Sequence, residues 1–145
     1  MDFLPLLKTQ LKSHDMNDLL ESWNAQVIYA YDRNNENMPD EFWASIYNEG
    51  VCFRFNENQI LETIFLYVTK TDGFTPIDLS ETDISRFDSI ADAMTYAKTI
   101  GTQLATGQGE LFGQMRSWIR LEYNAYSIHY EFREDVLALV TLTVV

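Results

Sequence analysis

The sequence predicts an α+β domain, in which an antiparallel sheet of about five or six strands is covered by an N-terminal pair of helices and one helix near residues 89–100. Three observations carry this expectation. Residues 118–145 alternate apolar and polar side chains in runs separated by short polar turns, the period of half-buried strands in a meander. Residues 51–68 hold two more runs rich in β-branched and aromatic residues, which suit a pleated, half-buried surface. Ser89 opens a stretch of helical spacing that closes on Gly101, a serine cap at one end and a glycine stop at the other.

From the N-terminus, Asp2 is placed to cap a first helix, with Phe3, Leu4, Leu7 and Leu11 at helical spacing and Pro5 tolerated in its first turn. This helix is expected to end near Ser13. Asp15, with Asp18 three residues on, reads as the cap of a second short helix that buries Leu19, Leu20 and Trp23. Residues 26–31 (QVIYAY) fit either a short strand or an extension of that helix. Residues 32–40 (DRNNENMPD) are too polar for a core and form the first candidate contact surface. Residues 42–47 fit a helix started at Pro39-Asp40 or the first arm of a hairpin turned at Asn48-Glu49-Gly50, and the hairpin is the preferred reading.

Val51, Phe53 and Phe55 then alternate with Cys52, Arg54 and Asn56, and residues 60–68 (ILETIFLYV) are apolar on both faces from Ile64 onward, as in a sheet interior. Residues 74–87 (FTPIDLSETDISRF) lack either period and read as an irregular surface segment. In the helix after Ser89, Ile90, Met94 and Ala97 point inward; Gly107, Gly109 and Gly113 mark a loop leading to the meander. There Ile119, Leu121 and Tyr123 oppose Arg120 and Glu122, and Tyr126, Ile128, Tyr130 and Phe132 oppose Ser127, His129 and Glu131. Arg133-Glu134-Asp135 supplies a charged turn into residues 136–145, which read as a central strand covered on both faces.

A chain of 145 residues, 46% hydrophobic and 22% charged, fits one domain. Its three Trp, eight Tyr and nine Phe require a core or a partner. The formal net charge of -12 and pI near 4.3 disfavour binding to nucleic acid or an anionic membrane, and suit either solubility alone or a basic partner. Cys52 is the single cysteine, so an intrachain disulfide and a cysteine metal cluster are excluded and a reducing, cytoplasmic setting is expected. Asp2 stands where a signal peptide would be basic, and Pro5 interrupts the apolar cluster.

Four groups have residue types that could carry chemistry. Residues 107–113 have the spacing GxGxxxG without the Lys-Ser/Thr of a phosphate loop, and read as a flexible turn. His129 and Glu131 share a strand face, a spacing available to acid-base work but equally that of an ordinary polar face. Asp78, Glu81, Asp83 and Asp88 offer oxygens to a hard cation but lack the glycine and register of a calcium loop, so a solvated loop or a protein contact is the better reading. Cys52 has no local histidine and reads as a small hydrophobe. Trp43, Trp118 and Tyr126 fit core positions, although an exposed aromatic beside acids suits an interface anchor.

The run Gly50-Val-Cys-Phe-Arg-Phe55, then ILETIFLY at 60–67, a capped helix ending in Gly101, Trp118, Ser127-Ile-His-Tyr-Glu-Phe132 and Leu139-Val-Thr-Leu142 together resemble small acidic bacterial immunity proteins. Those are the antidotes of polymorphic toxins delivered by contact-dependent inhibition or type VI secretion. The resemblance covers residues 50–142, rests on framework positions, and departs at Phe74-Thr-Pro76, where the group tends to carry Tyr-Pro-Gly and Leu-Pro turns. It implies a non-catalytic protein without cofactor or metal, a monomer or weak dimer, whose partner is a cognate toxin domain. It assigns no contact residues. The acidic loops and nearby aromatics supply those: Asp32, Glu36, Asp40, Asp78, Glu81 and Asp83, with Tyr31 and Trp43 as anchors. An acidic secretion chaperone, holding an unfolded effector segment, is the alternative of the same size and charge.

Overall fold

In the computed structural model, which describes residues 1–31 and 36–145, the alternating runs become eight strands. They are β1 (Val27–Ala30), β2 (Glu41–Ile46), β3 (Val51–Phe55), β4 (Leu61–Tyr67), β5 (Gln103–Leu111), β6 (Gln114–Glu122), β7 (Tyr126–Arg133) and β8 (Val136–Val144). All pair antiparallel in one sheet of order β1-β2-β3-β4-β8-β7-β6-β5. The α+β class is as expected, with more strands than the five or six read from the sequence. Helices α1 (His14–Ser22) and α2 (Ile90–Ile100) both lie on one face.

The sheet consists of two meanders, β1 to β4 and β5 to β8, joined where β8 lies along β4 with Ile64 opposite Leu142 and Leu66 opposite Val140. Because side chains alternate across a pleat, pairing in register lines up Ala44, Phe53, Ile64, Leu142, Ile128, Leu121 and Leu104 as one apolar row across seven strands. Phe3, Met16 and Leu20 cover the first half of this face; Leu79, Ile84, Phe87, Ala93 and Ala97 cover the second. Trp23 meets Phe53 at 6.1 Å and Phe87 meets Tyr130 edge-on at 5.1 Å. Burying each of Phe53, Phe55 and Phe132 contributes about 1.5–3 kcal/mol, and the Tyr130 hydroxyl is satisfied by donating to the Ser85 carbonyl at 2.8 Å.

Four local expectations are corrected. The first N-terminal helix is only a 3-10 turn, Leu4–Leu6. The Asp83 carboxylate, not Asp2, accepts from the Phe3 and Leu4 amides at 2.8 and 2.9 Å, and the chain from Lys8 runs out along Leu61, with Lys8 N–H donating to its carbonyl at 2.8 Å. In α1 the cap is Ser13, whose hydroxyl accepts from the Met16 amide; Asp15 lies in the first turn, where the helix dipole favours it. The 74–87 segment is no surface loop, since Leu79, Ile84 and Phe87 are buried in the core and Phe74 is buried against Tyr67 at 4.0 Å, on the other side of the sheet. It must cross the covered face to carry the chain from β4 to α2 and the far edge. Residues 136–144 are central as expected, but the outward Leu139, Thr141 and Thr143 are half-buried by their sheet neighbours, with both helices on the opposite face.

The glycine-marked stretch is the largest miss, because residues 103–111 form the edge strand β5. Gly107 fits there because the Trp118 indole of β6 fills its missing side chain, and an added Cβ would sit 2.5 Å from that ring. The β5–β6 turn has Phe112 and Gly113 at φ 51° and 75°, the mirror-image turn that matches strand twist. A bulky side chain in this left-handed region costs roughly 1–2 kcal/mol.

Gly50 ends the turn between β2 and β3 at φ 69°, and a Cβ there would lie 2.3 Å from the Thr75 carbonyl oxygen and 3.0 Å from the Ile77 nitrogen. Both neighbours are backbone and cannot rotate away. Gly50→Ala is therefore expected to destabilise by at least about 2 kcal/mol, read as a lower urea midpoint; an unchanged midpoint would show that the crossing segment does not lock against β3.

Candidate protein-interaction surface

Strand β1 extends past the helical cover, while its partner β2 stays half-buried or buried. The inward positions of β1, Val27 and Tyr29, pair with Ala44 and Phe42, yet all four β1 residues are exposed, since α1 ends at Ser22 and Ala25 is the last residue before β1 that packs against the core. Aromatic stacking takes the place of core packing. Tyr29 stacks on Phe42 at 5.0 Å and meets Tyr31 at 5.7 Å, and its hydroxyl donates to the Asp40 carboxylate at 2.6 Å. That hydrogen bond is the main reason the Tyr29 hydroxyl holds its proton above the ordinary range. On the other side Ile28 lies opposite Trp43, Trp43 stacks on Phe65 at 6.0 Å, and its indole N–H donates to Glu41 at 3.0 Å. Glu41 in turn faces Arg54 at 3.4 Å. The corner thus presents Ile28, Tyr29, Tyr31 and Trp43 beside two carboxylates. Aromatics with satisfied polar tips are the usual interface anchors.

Trp43 also begins the sheet face that carries no helix. It holds Phe65, Tyr67, Trp118 and His129 together with Arg54, Arg116, Arg120 and Arg133, with Tyr67 covered by the stacked Phe74 ring at 4.0 Å. Most of these charges are already matched. Arg120 meets Glu122 at 3.0 Å and lies 5.8 Å from the Trp118 ring centroid. Arg133 holds Glu131 at 2.8 Å and Arg116 approaches the same carboxylate at 3.8 Å. Glu131 therefore serves the arginines rather than forming an acid-base pair with His129. The imidazole meets Trp118 edge-on at 5.1 Å, and His129 Nε2 and Arg116 Nε are buried without a hydrogen-bond partner. Burial pushes the His129 pKa below its ordinary 6.5, with Arg120 pushing the same way and Glu131 opposing. Cys52 is buried on this face beside Ser45, and burial raises its thiol pKa.

The structure brings Tyr31, Asp40 and Trp43 of the expected contact set to one corner, with Glu36 exposed on the approach to β2. Asp32 lies outside the described residues. Asp78, Glu81 and Asp83 are elsewhere, at the far end of β2 where a hollow is lined by Asn48, Glu49, Asp78 and Glu81. Asp78 caps the 3-10 turn Leu79–Glu81 through the Ser80 amide and hydroxyl, which lower its pKa. Asp83 is taken up by the N-terminal amides, and Asp88 pairs with Arg86 at 3.1 Å. Sequence reasoning missed Ile28, Tyr29 and Glu41; the alternation within QVIYAY was the available signal for the first two. Among the described residues no group of three or more His, Cys, Asp or Glu is arranged to hold a metal, and no helix is long and apolar enough to cross a membrane. No family model, curated protein or solved structure matches this chain.

The His129 shift has a definite sign in pH. With its folded pKa below 6.5, the unfolded chain binds the proton more readily, so the contribution is full above the unfolded value and lost as pH falls toward the folded one. His129→Asn is expected to flatten the stability profile below pH 6.5, and an NMR titration should place the imidazole midpoint under that value. A midpoint above it would mean that Glu131, not burial, controls the ring.

Proposed function

We propose that this chain is an immunity protein, a non-catalytic binder that neutralises a cognate toxin domain by covering its active site or the route of its substrate. The observation that carries the reading is the exposed edge strand β1, where Ile28, Tyr29 and Tyr31 stand beside the half-buried Trp43 and the carboxylates of Asp40 and Glu41. Large aromatics held by stacking and hydrogen bonds supply contact area, and carboxylates at their side select a cationic partner. The net charge of -12 adds long-range attraction toward a basic toxin, such as a nuclease, and speeds encounter. The framework resemblance to immunity proteins supports the same reading. Asp78 and Glu81, at the other end of β2, contribute to this field rather than to the ribbon contact.

A second reading has its own support. Strand β1 is a sheet edge with exposed apolar residues, a geometry on which an extended segment adds as a further strand. A secretion chaperone would use it to hold an unfolded effector segment.

The two readings separate on what the tagged protein retains from its native lysate. A single folded domain at one-to-one stoichiometry supports immunity, whereas an extended segment bound to a dimer in sedimentation supports the chaperone. With the partner in hand, Tyr29→Ala combined with Tyr31→Ala is expected to weaken binding by about 2 kcal/mol or more. Asp40→Lys should slow association and reduce its salt dependence. Unchanged affinity in the double variant would remove the ribbon from the interface.

A further inference from the structure

We infer that the tip of the β5–β6 hairpin is a second docking element, a finger whose Phe112 enters an apolar pocket rimmed by basic groups on a protein partner. Phe112 is 94% exposed at φ 51°. Neither property helps the fold: the side chain covers nothing, and a left-handed backbone disfavours a bulky residue. Asparagine would suit the same turn, since Asn-Gly is its favoured pair. Leu111 and Met115 flank it on opposite faces of the hairpin, both more than 40% exposed, and Val136 on the neighbouring β7–β8 hairpin is 55% exposed. Strain held at an exposed aromatic, among further exposed apolar residues, marks a contact made with another molecule.

Charge decides the kind of molecule. Glu110 lies opposite Met115, and Glu134 and Asp135 of the adjacent turn flank Met115, with Glu134 accepting from the Met115 amide at 2.8 Å; Lys70, beside Gln114 and Val136, is the one nearby cation without a partner among the described ion pairs, so acids outnumber it three to one. None of the three is in an ion pair among the described residues, while Arg116 and Arg133 are turned onto Glu131. A second copy would bring the same acids against each other in a chain of charge -12, and an anionic lipid surface would be repelled. A protein pocket lined by apolar side chains and edged by Lys or Arg fits both the finger and its rim.

The proposal rests on the reading that this chain binds a basic protein, and its test is built to fail separately. The probe is a synthetic amphipathic helical peptide with one leucine face edged by lysines, titrated into the isotope-labelled protein and followed by amide NMR. Shifts confined to residues 110–115 and 134–136, with affinity reduced at least about tenfold in Phe112→Asn, support the finger. Phe112→Asn should itself melt about 2–4 °C higher, so a loss of binding in it is not a loss of fold. Glu110→Lys with Asp135→Lys should weaken binding further and flatten its salt dependence. Shifts confined to the β1–β2 ribbon overturn the finger and leave the ribbon reading intact; no shifts anywhere overturn the finger and count against the basic partner as well. Concentration-dependent shifts at the tip without peptide assign it to a second copy, and co-sedimentation with phosphatidylcholine–phosphatidylglycerol vesicles assigns it to lipid. Either result overturns the proposal.

Discussion

The pairing of β8 with β4 holds this domain together. Every other strand contact in the sheet joins neighbours in sequence through a hairpin or a short connection, and such local ribbons are marginal alone. The β4–β8 seam joins the two four-stranded meanders across a sequence separation of about eighty residues, as in Thr63 opposite Thr143. It aligns Ile64 with Leu142 and Leu66 with Val140, so that both halves offer one continuous apolar face. A slip of one residue at the seam would turn one of its strands to the wrong face.

The unequal treatment of the two faces follows from that seam. The connection from β4 to β5 must travel from the centre of the sheet to its far edge, and it does so across one face, bringing Leu79, Ile84, Phe87, Ala93 and Ala97 as cover. The N-terminal segment fills the rest of the same face and is tied to the crossing segment by Asp83. The opposite face keeps the side chains that tolerate partial burial: aromatics stacked on one another, threonines, and arginines paired with glutamates. Edge elements that reach past the cover, the β1–β2 ribbon and the β5–β6 tip, are left with apolar residues in solvent. Those are the two places proposed above as contact surfaces.

Much of the architecture was legible in local pattern. The alternation of Ile128, Tyr130 and Phe132 and of Val51, Phe53 and Phe55 is seen unchanged in the buried face, and the Ser89 and Gly101 caps are where their chemistry puts them. Strand β5 was not legible, because Gly107 and Gly109 carry no side chain to alternate and the stabilising Trp118 comes from the next strand. The interaction corner was half legible. Trp43, Tyr31 and Asp40 were singled out by residue type, but Tyr29 and Glu41 matter through partners that only pairing supplies. Asp83 looked like a surface acid because its ligands, the Phe3 and Leu4 amides, lie eighty residues away in sequence.

What the sequence determined by itself is therefore what depends on periods of two and 3.6 residues: an acidic α+β domain, most of its strands, and the buried face of each regular strand, but not the core residues of the irregular 74–87 segment. The tertiary structure decided which polar residues were used up inside the fold and which stayed at the surface. The physical reason is range. Propensity, capping and alternation act within a few residues, whereas the roles of Asp83, Gly50, Gly107 and Tyr29 depend on groups brought beside them by the β4–β8 seam, the crossing segment and strand pairing.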